Sequence, residues 1–87
     1  MKKTEEIRQP SSCLNQSQSD EPLFVLCGRD PHAPAVVRVW AAEYLDAHAA
    51  DWTARRMAKH AEALELADEM ERWRLEHVEA AARTPAA

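Results

Sequence analysis

The sequence predicts a mainly α-helical chain. A disordered N-terminal leader is followed by one short extended or strand segment, then by a helical hairpin with a long C-terminal helix. Three observations predict this. Residues 1–21 are polar and carry few groups worth burying. A single apolar run, Pro22-Leu23-Phe24-Val25-Leu26-Cys27, ends at Gly28, the one glycine of the chain. Residues 33–82 contain no glycine, are rich in strong helix formers and show helical periodicity. The 87 residues therefore divide into a leader (1–21), one small helical domain (22–84) and a tail (85–87). A core of that size is marginal by itself, so oligomerisation or docking on a larger partner is expected.

In the leader, Pro10-Ser11-Ser12 and Asn15-Gln16-Ser17-Gln18-Ser19-Asp20 offer nothing to bury. The apolar run 22–27 is the one strand-like stretch, and a lone strand leaves its backbone N–H and C=O groups without partners. Either it packs on the helices as an arm hydrated along one edge, or it pairs with the same segment of a second copy or with a target's sheet edge.

Arg29 to Pro34 form a turn into the first helix. Asp30 can cap it with Pro31 at N1, or the helix can start at Ala33 with Pro34 at N1. The helix then runs to about Ala49. Val36, Val37, Trp40, Ala41, Tyr44 and Leu45 recur at helical spacing and form its apolar stripe. The break that follows holds no Gly or Pro, and Asp51 can cap the second helix.

That second helix is expected from near Trp52 to about Ala82, ~45 Å at 1.5 Å per residue. Pro85 stops it at or before Thr84. Its apolar side chains fall into two stripes. Ala63, Leu66, Ala67, Met70 and Trp73 form one; Met57, Ala61, Leu64, Leu75 and Val78 form the other, interrupted by Asp68 and Glu71. The first is assigned to the core because it is continuous and carries an aromatic. The expected core is Leu23, Val25, Val36, Val37, Trp40, Tyr44, Leu45, Leu66, Met70 and Trp73, with Trp73 against Trp40. Trp52, at the corner between the helices, is expected to be an exposed anchor.

Candidate chemistry is sparse. Cys27 and His32 are five apart, and His48, His60 and His77 are not spaced as metal ligands, so no metal site is expected. A Cys27–His32 nucleophile pair lacks a third group to orient the base, and Cys27 reads as a small buried residue. Phosphate-cradling loops need several glycines. No enzyme activity and no cofactor are therefore expected. The N-terminus lacks the apolar stretch of a signal peptide, and no run approaches the ~18 apolar residues of a membrane span. A cytoplasmic protein with reduced Cys13 and Cys27 is expected.

The net charge is −4 and the pI about 5.5, which argues against a generic basic nucleic-acid binder. Charge on the second helix is segregated. Arg55, Arg56, Lys59 and His60 make its start basic; Glu62, Glu65, Asp68, Glu69, Glu71, Glu76 and Glu79 make the rest acidic. The expected partner surface comprises Trp52, Met57, Ala61 and Leu64 with Glu65, Glu69 and Glu76. It would face a protein partner such as a basic nucleic-acid-binding complex. A homodimer is also expected. The alternatives are a structural or accessory protein whose dimer is its function, and a small regulator that contacts nucleic acid through Arg55, Arg56 and Lys59.

The run Phe24-Val25-Leu26-Cys27-Gly28-Arg29-Asp30-Pro31, then Ala33-Pro34, Val37 and Trp40-Ala41, then Ala67-Asp68-Glu69-Met70-Glu71-Arg72-Trp73, resembles small phage- and prophage-type bacterial proteins of no assigned activity. The resemblance spans roughly residues 22–74. It implies a bacterial host cytoplasm. It also implies, by analogy with small acidic proteins of such elements, an inhibitor of host defence similar to anti-CRISPR proteins, one that binds and occludes a host defence complex.

Overall fold

A computed structural model describes residues 1–79 and is mainly helical. Helix α1 spans Lys3–Arg8, α2 Cys13–Gln16, α3 Ala33–His48 and α4 Ala54–Arg74. A 3₁₀ turn, Ala49–Asp51, joins α3 to α4, and a π turn, Leu75–Glu79, follows α4. The expected end of the long helix near Ala82 and the tail 85–87 lie outside the described residues.

The leader corrects the sequence reading: it folds into two short helices. Polar capping holds them together. The Asn15 carboxamide Nδ2 donates to the carbonyls of Glu6, Ile7 and Gln9 at 3.1, 2.9 and 2.9 Å, just where the end of α1 leaves acceptors unmet. Ser12 Oγ donates to the Glu6 carbonyl at 2.7 Å and accepts from the Asn15 amide at 3.2 Å. Glu6 reaches forward to the Leu14 amide at 3.0 Å. Ile7 and Leu14 stay exposed, so hydrogen bonds rather than burial shape this segment.

Residues 22–27 take no regular secondary structure, and no strand forms among the described residues. Nor does the segment pack down as an arm: Leu23, Phe24 and Val25 are 54%, 86% and 72% exposed. Leu23 and Val25 therefore do not belong to the core. Cys27, expected to be buried, is exposed, and both cysteines are free. The backbone returns to the hairpin at Gly28, where a Cβ would lie 3.9 Å from Trp73 Cε3 and 4.0 Å from Met70 Cγ. A turn then closes through the Cys27 carbonyl, which accepts from the Asp30 amide at 3.0 Å. Asp30 caps this turn, its Oδ1 accepting from the His32 amide at 2.8 Å. The helix begins three residues later, at Ala33, with Pro34 in its first turn. Of the two predicted starts, the later one matches within a residue.

Helices α3 and α4 pack as a hairpin along a line whose most buried positions are mostly alanines. On α3 the line runs through the buried Ala33, Pro34 and Ala41 with part-buried Val37, Tyr44 and His48. On α4 it runs through part-buried Arg56 and His60, buried Ala63, Ala67 and Met70, and part-buried Arg74. Steps of three and four residues keep each line on one side of its helix, as in a coiled-coil seam. Among the described residues no large side chain is fully buried.

This seam corrects the predicted core. Val37, Tyr44, Leu66 and Met70 lie in it or beside it, but Val36, Trp40, Leu45 and Trp73 are exposed. Methyl groups on the contact line let the backbones approach closely, and close approach pushes the bulky side chains to the flanks. The predicted Trp40–Trp73 packing gives way to other ring pairs. Trp40 stacks on Tyr44 (4.9 Å, 15°) and Trp73 on His77 (4.3 Å, 9°). Helix α4 is capped by Thr53, whose side chain accepts from the Arg56 amide at 3.2 Å, and not by Asp51. Asp51 instead binds the Arg56 guanidinium at 2.6 Å.

A thin seam leaves much surface in water. The chain exposes 7167 Å², where a compact chain of 87 residues would expose about 5,200 Å².

Candidate interaction surfaces

The outer side of α4 carries the first surface. Met57, Ala61 and Leu64, four and three residues apart, make one exposed row. The same spacing continues through Asp68, Glu71, Leu75 and Val78, all exposed. The two acids that interrupt this stripe in the sequence are neutralised from α3. Arg38 binds Asp68 Oδ1 at 2.8 Å and also pairs with Glu71. Hydrogen bonds to Glu71 and then to Asp68 raise the Arg38 pKa above its already high ordinary value. Arg74 pairs with Glu79 at the end of the helix.

Glu65 and Glu76 are exposed and Glu69 is part-buried beside this row. Among the described residues no ion pair takes up any of the three, so they form an acidic border. Met57, Ala61, Leu64, Glu65 and Glu69 thus lie on α4, and Glu76 on the π turn that follows it. Trp52 is not part of this face. It is half-buried in the corner, edge-on to Tyr44 (6.1 Å) and to His60 (5.7 Å), and works as a wedge between the helices. The sequence could not show this, because only the direction of the 3₁₀ turn decides which way the ring points.

The second surface is basic. Tyr44, Thr53, Arg55, Arg56 and Lys59 line one shallow, open depression near the start of α4. Two of its cations are already engaged. Arg56 donates to Asp51 Oδ2 and to the Asp51 carbonyl, each at 2.6 Å, and its pKa is raised chiefly by the carboxylate. Lys59 Nζ sits 5.9 Å from the centroids of both Trp40 and Tyr44, a cation–π arrangement. Sequence reasoning grouped these cations correctly and missed their internal partners.

The third surface is the open segment 22–27. Its neighbours on the hairpin are marked by Gly28 against Trp73. Val36, Val39 and Trp40 are also exposed on α3.

Among the described residues no group of three His, Cys, Asp or Glu is placed to hold a metal ion. Three histidines serve as ring neighbours instead: His48 to Tyr44, His60 to Trp52 and His77 to Trp73. His77 Nδ1 lies 2.9 Å from the Trp73 carbonyl, which requires the proton on Nδ1. No described helix is long and apolar enough to cross a membrane. Comparison with protein-family models, with curated proteins and with solved structures gives no match.

Proposed function

We propose that this chain is a non-enzymatic protein-interaction module whose α4 outer face docks on a basic surface of a larger protein. The observation that supports it is an exposed apolar row, Met57, Ala61 and Leu64, bordered by Glu65, Glu69 and Glu76, which no ion pair takes up among the described residues. Arg38 and Arg74 are already taken by Asp68, Glu71 and Glu79. The border therefore keeps its negative field for a partner. Apolar contact supplies affinity, and the charged rim supplies orientation and rate. A basic surface that receives this ridge is one that otherwise holds nucleic acid, so docking there blocks it. Occlusion of a host defence complex by a phage-encoded inhibitor in the bacterial cytoplasm is the biological form of the proposal, and it comes from the sequence resemblance. A homodimer is part of the same reading.

The test begins with capture of partners from a bacterial lysate by the full chain. The captured protein is then titrated with two variants. Leu64→Asp and the triple reversal of Glu65, Glu69 and Glu76 to Lys should each weaken binding at least about tenfold, a loss of about 1.4 kcal/mol. Affinity for wild type should fall with added salt. A partner that binds both variants as tightly as wild type rejects the proposal.

The convergence of Arg55, Arg56 and Lys59 on one depression supports a second reading, a small regulator that contacts nucleic acid. Internal pairing leaves Arg55 as the cation without a recorded partner there among the described residues, which favours the first reading. Titration of single- and double-stranded oligonucleotides separates the two. Binding that weakens steeply with salt and vanishes on reversal of these three residues would establish the second.

A further inference from the structure

We infer that two copies of this chain join through residues 22–27, paired as an antiparallel two-stranded ribbon whose faces are covered by the aromatic flanks of the two hairpins. The inference rests on the reading of the chain as an interaction module and names one partner, a second copy, and the segment that receives it.

The backbone supplies the first reason. Among the described residues the amides of Leu23, Phe24, Val25 and Leu26 have no protein hydrogen-bond partner. The segment's composition suits a strand: it is apolar, uncharged and short, and its single proline stands at the first position, where a strand tolerates one.

The side chains supply the second. Successive strand residues point to opposite faces. Leu23, Val25 and Cys27 form one face; Pro22, Phe24 and Leu26 form the other. Both are apolar, the pattern of a strand covered on both sides. Its own hairpin leaves it open, with Phe24 86% exposed. The same hairpin leaves Val36, Val39, Trp40 and Trp73 partly exposed, even with Tyr44 and Lys59 against Trp40 and His77 against Trp73. Each copy thus carries one uncovered segment and one partly exposed aromatic flank, and two copies satisfy both needs.

Area supplies the third. The surface in excess of a compact chain is about 2,000 Å² over the whole chain, of which the exposed residues 22–27 and the aromatic flank supply a share toward the ~800 Å² that each partner contributes to a standard interface. The segment also carries no charged or hydrogen-bonding side chain with which to select a foreign sheet edge. A second copy needs no such selection, because its strand is identical and the pairing is two-fold symmetric.

The experiment uses the full chain. Sedimentation should give a dimer at micromolar concentration that dissociates on dilution. Amide hydrogen exchange in the dimer should show alternate residues of the run protected, either Leu23 and Val25 or Phe24 and Leu26, about 100-fold over the dissociated chain. Phe24→Pro and Val25→Pro are made singly. Adjacent amides point opposite ways, so one of the two removes a ladder bond, and that variant should be monomeric with its far-ultraviolet helical signal retained. If both variants fail to fold, the alternating protection in wild type decides. A monomer at all concentrations with unprotected amides overturns the inference. So does a dimer that survives both prolines and breaks with Leu64→Asp, which would put the second copy on α4. Protection that arises only when another protein is added also overturns it and assigns the segment to a foreign sheet edge. None of these results depends on the response of a captured partner to Leu64→Asp, so the α4 proposal stands or falls separately.

Discussion

The inner and outer sides of α4 reverse the usual order of residue size. Toward α3 the middle of the helix buries Ala63, Ala67 and Met70; toward water the helix and the π turn after it present Met57, Leu64, Leu75 and Val78. A methyl group buries little area, so each inner alanine contributes less apolar burial than any of the four outer side chains would. What the alanines provide is approach. Two helices with methyl groups on the contact line come close enough for Arg38 to reach Asp68 and for Lys59 to cover Trp40. The hairpin is thus specified by steric fit and remains thin in burial. The large apolar groups of the outer row stay exposed.

The largest expected effect comes from filling the inner side. Ala67→Leu adds three carbons at a fully buried position. Overpacking of this kind costs about 1–3 kcal/mol, and a domain of this size loses about 4–8 °C in Tm per kcal/mol. Thermal unfolding followed by circular dichroism measures it. An unchanged Tm would mean that the seam has spare room and that close approach is not what selects alanine there. Truncating a flank residue should cost less. Trp40 is 43% exposed, so Trp40→Ala should cost about 1–2 kcal/mol, well under the 3–5 kcal/mol of a core aromatic. Urea unfolding measures this loss. A value at the core level would place Trp40 inside and restore the contact line drawn from the sequence.

That line was close but displaced. The helical hairpin, its junction near residues 49–51, the later of the two starts for α3 and the second apolar stripe of α4 were legible from periodicity, but Asp51 was taken for the cap that Thr53 supplies. The core was not, because hydrophobic weighting favours Trp40, Leu45 and Trp73 over Ala41 and Ala67. Only packing shows that the small residues hold the line and the large ones flank it. The leader was misread for a different reason. A disorder argument counts apolar groups, whereas Ser12 and Asn15 fold it by meeting the carbonyls of Glu6, Ile7 and Gln9. Of the candidate interaction residues, the row Met57, Ala61 and Leu64 was visible as spacing alone. Trp52 was misplaced, since its ring direction depends on the 3₁₀ turn. The role of Arg38 was invisible, because it lies thirty residues from Asp68.

Arg38 is also where the two sides of α4 meet, and its removal is expected to have the smallest effect on stability. Arg38→Met keeps the apolar stem and deletes the charge. All three partners of this cluster are in contact with water, so the loss should be slight and should disappear as salt is raised. The pH dependence follows from the direction of the shift. Glu71 and Asp68 raise the Arg38 pKa, so its contribution is complete across the neutral range and up to the ordinary arginine value. It is lost only as pH climbs through the raised one. Salt, and not pH, is therefore the probe in the neutral range. Binding should move the other way. Freeing Asp68 and Glu71 extends the acidic border across the outer row, and a basic partner should bind the variant more tightly at low salt than wild type. Opposite signs for stability and affinity in one substitution would separate the inner role of this side chain from its outer one. Weaker binding, or none of either effect, would show that the partner does not meet α4 on this face.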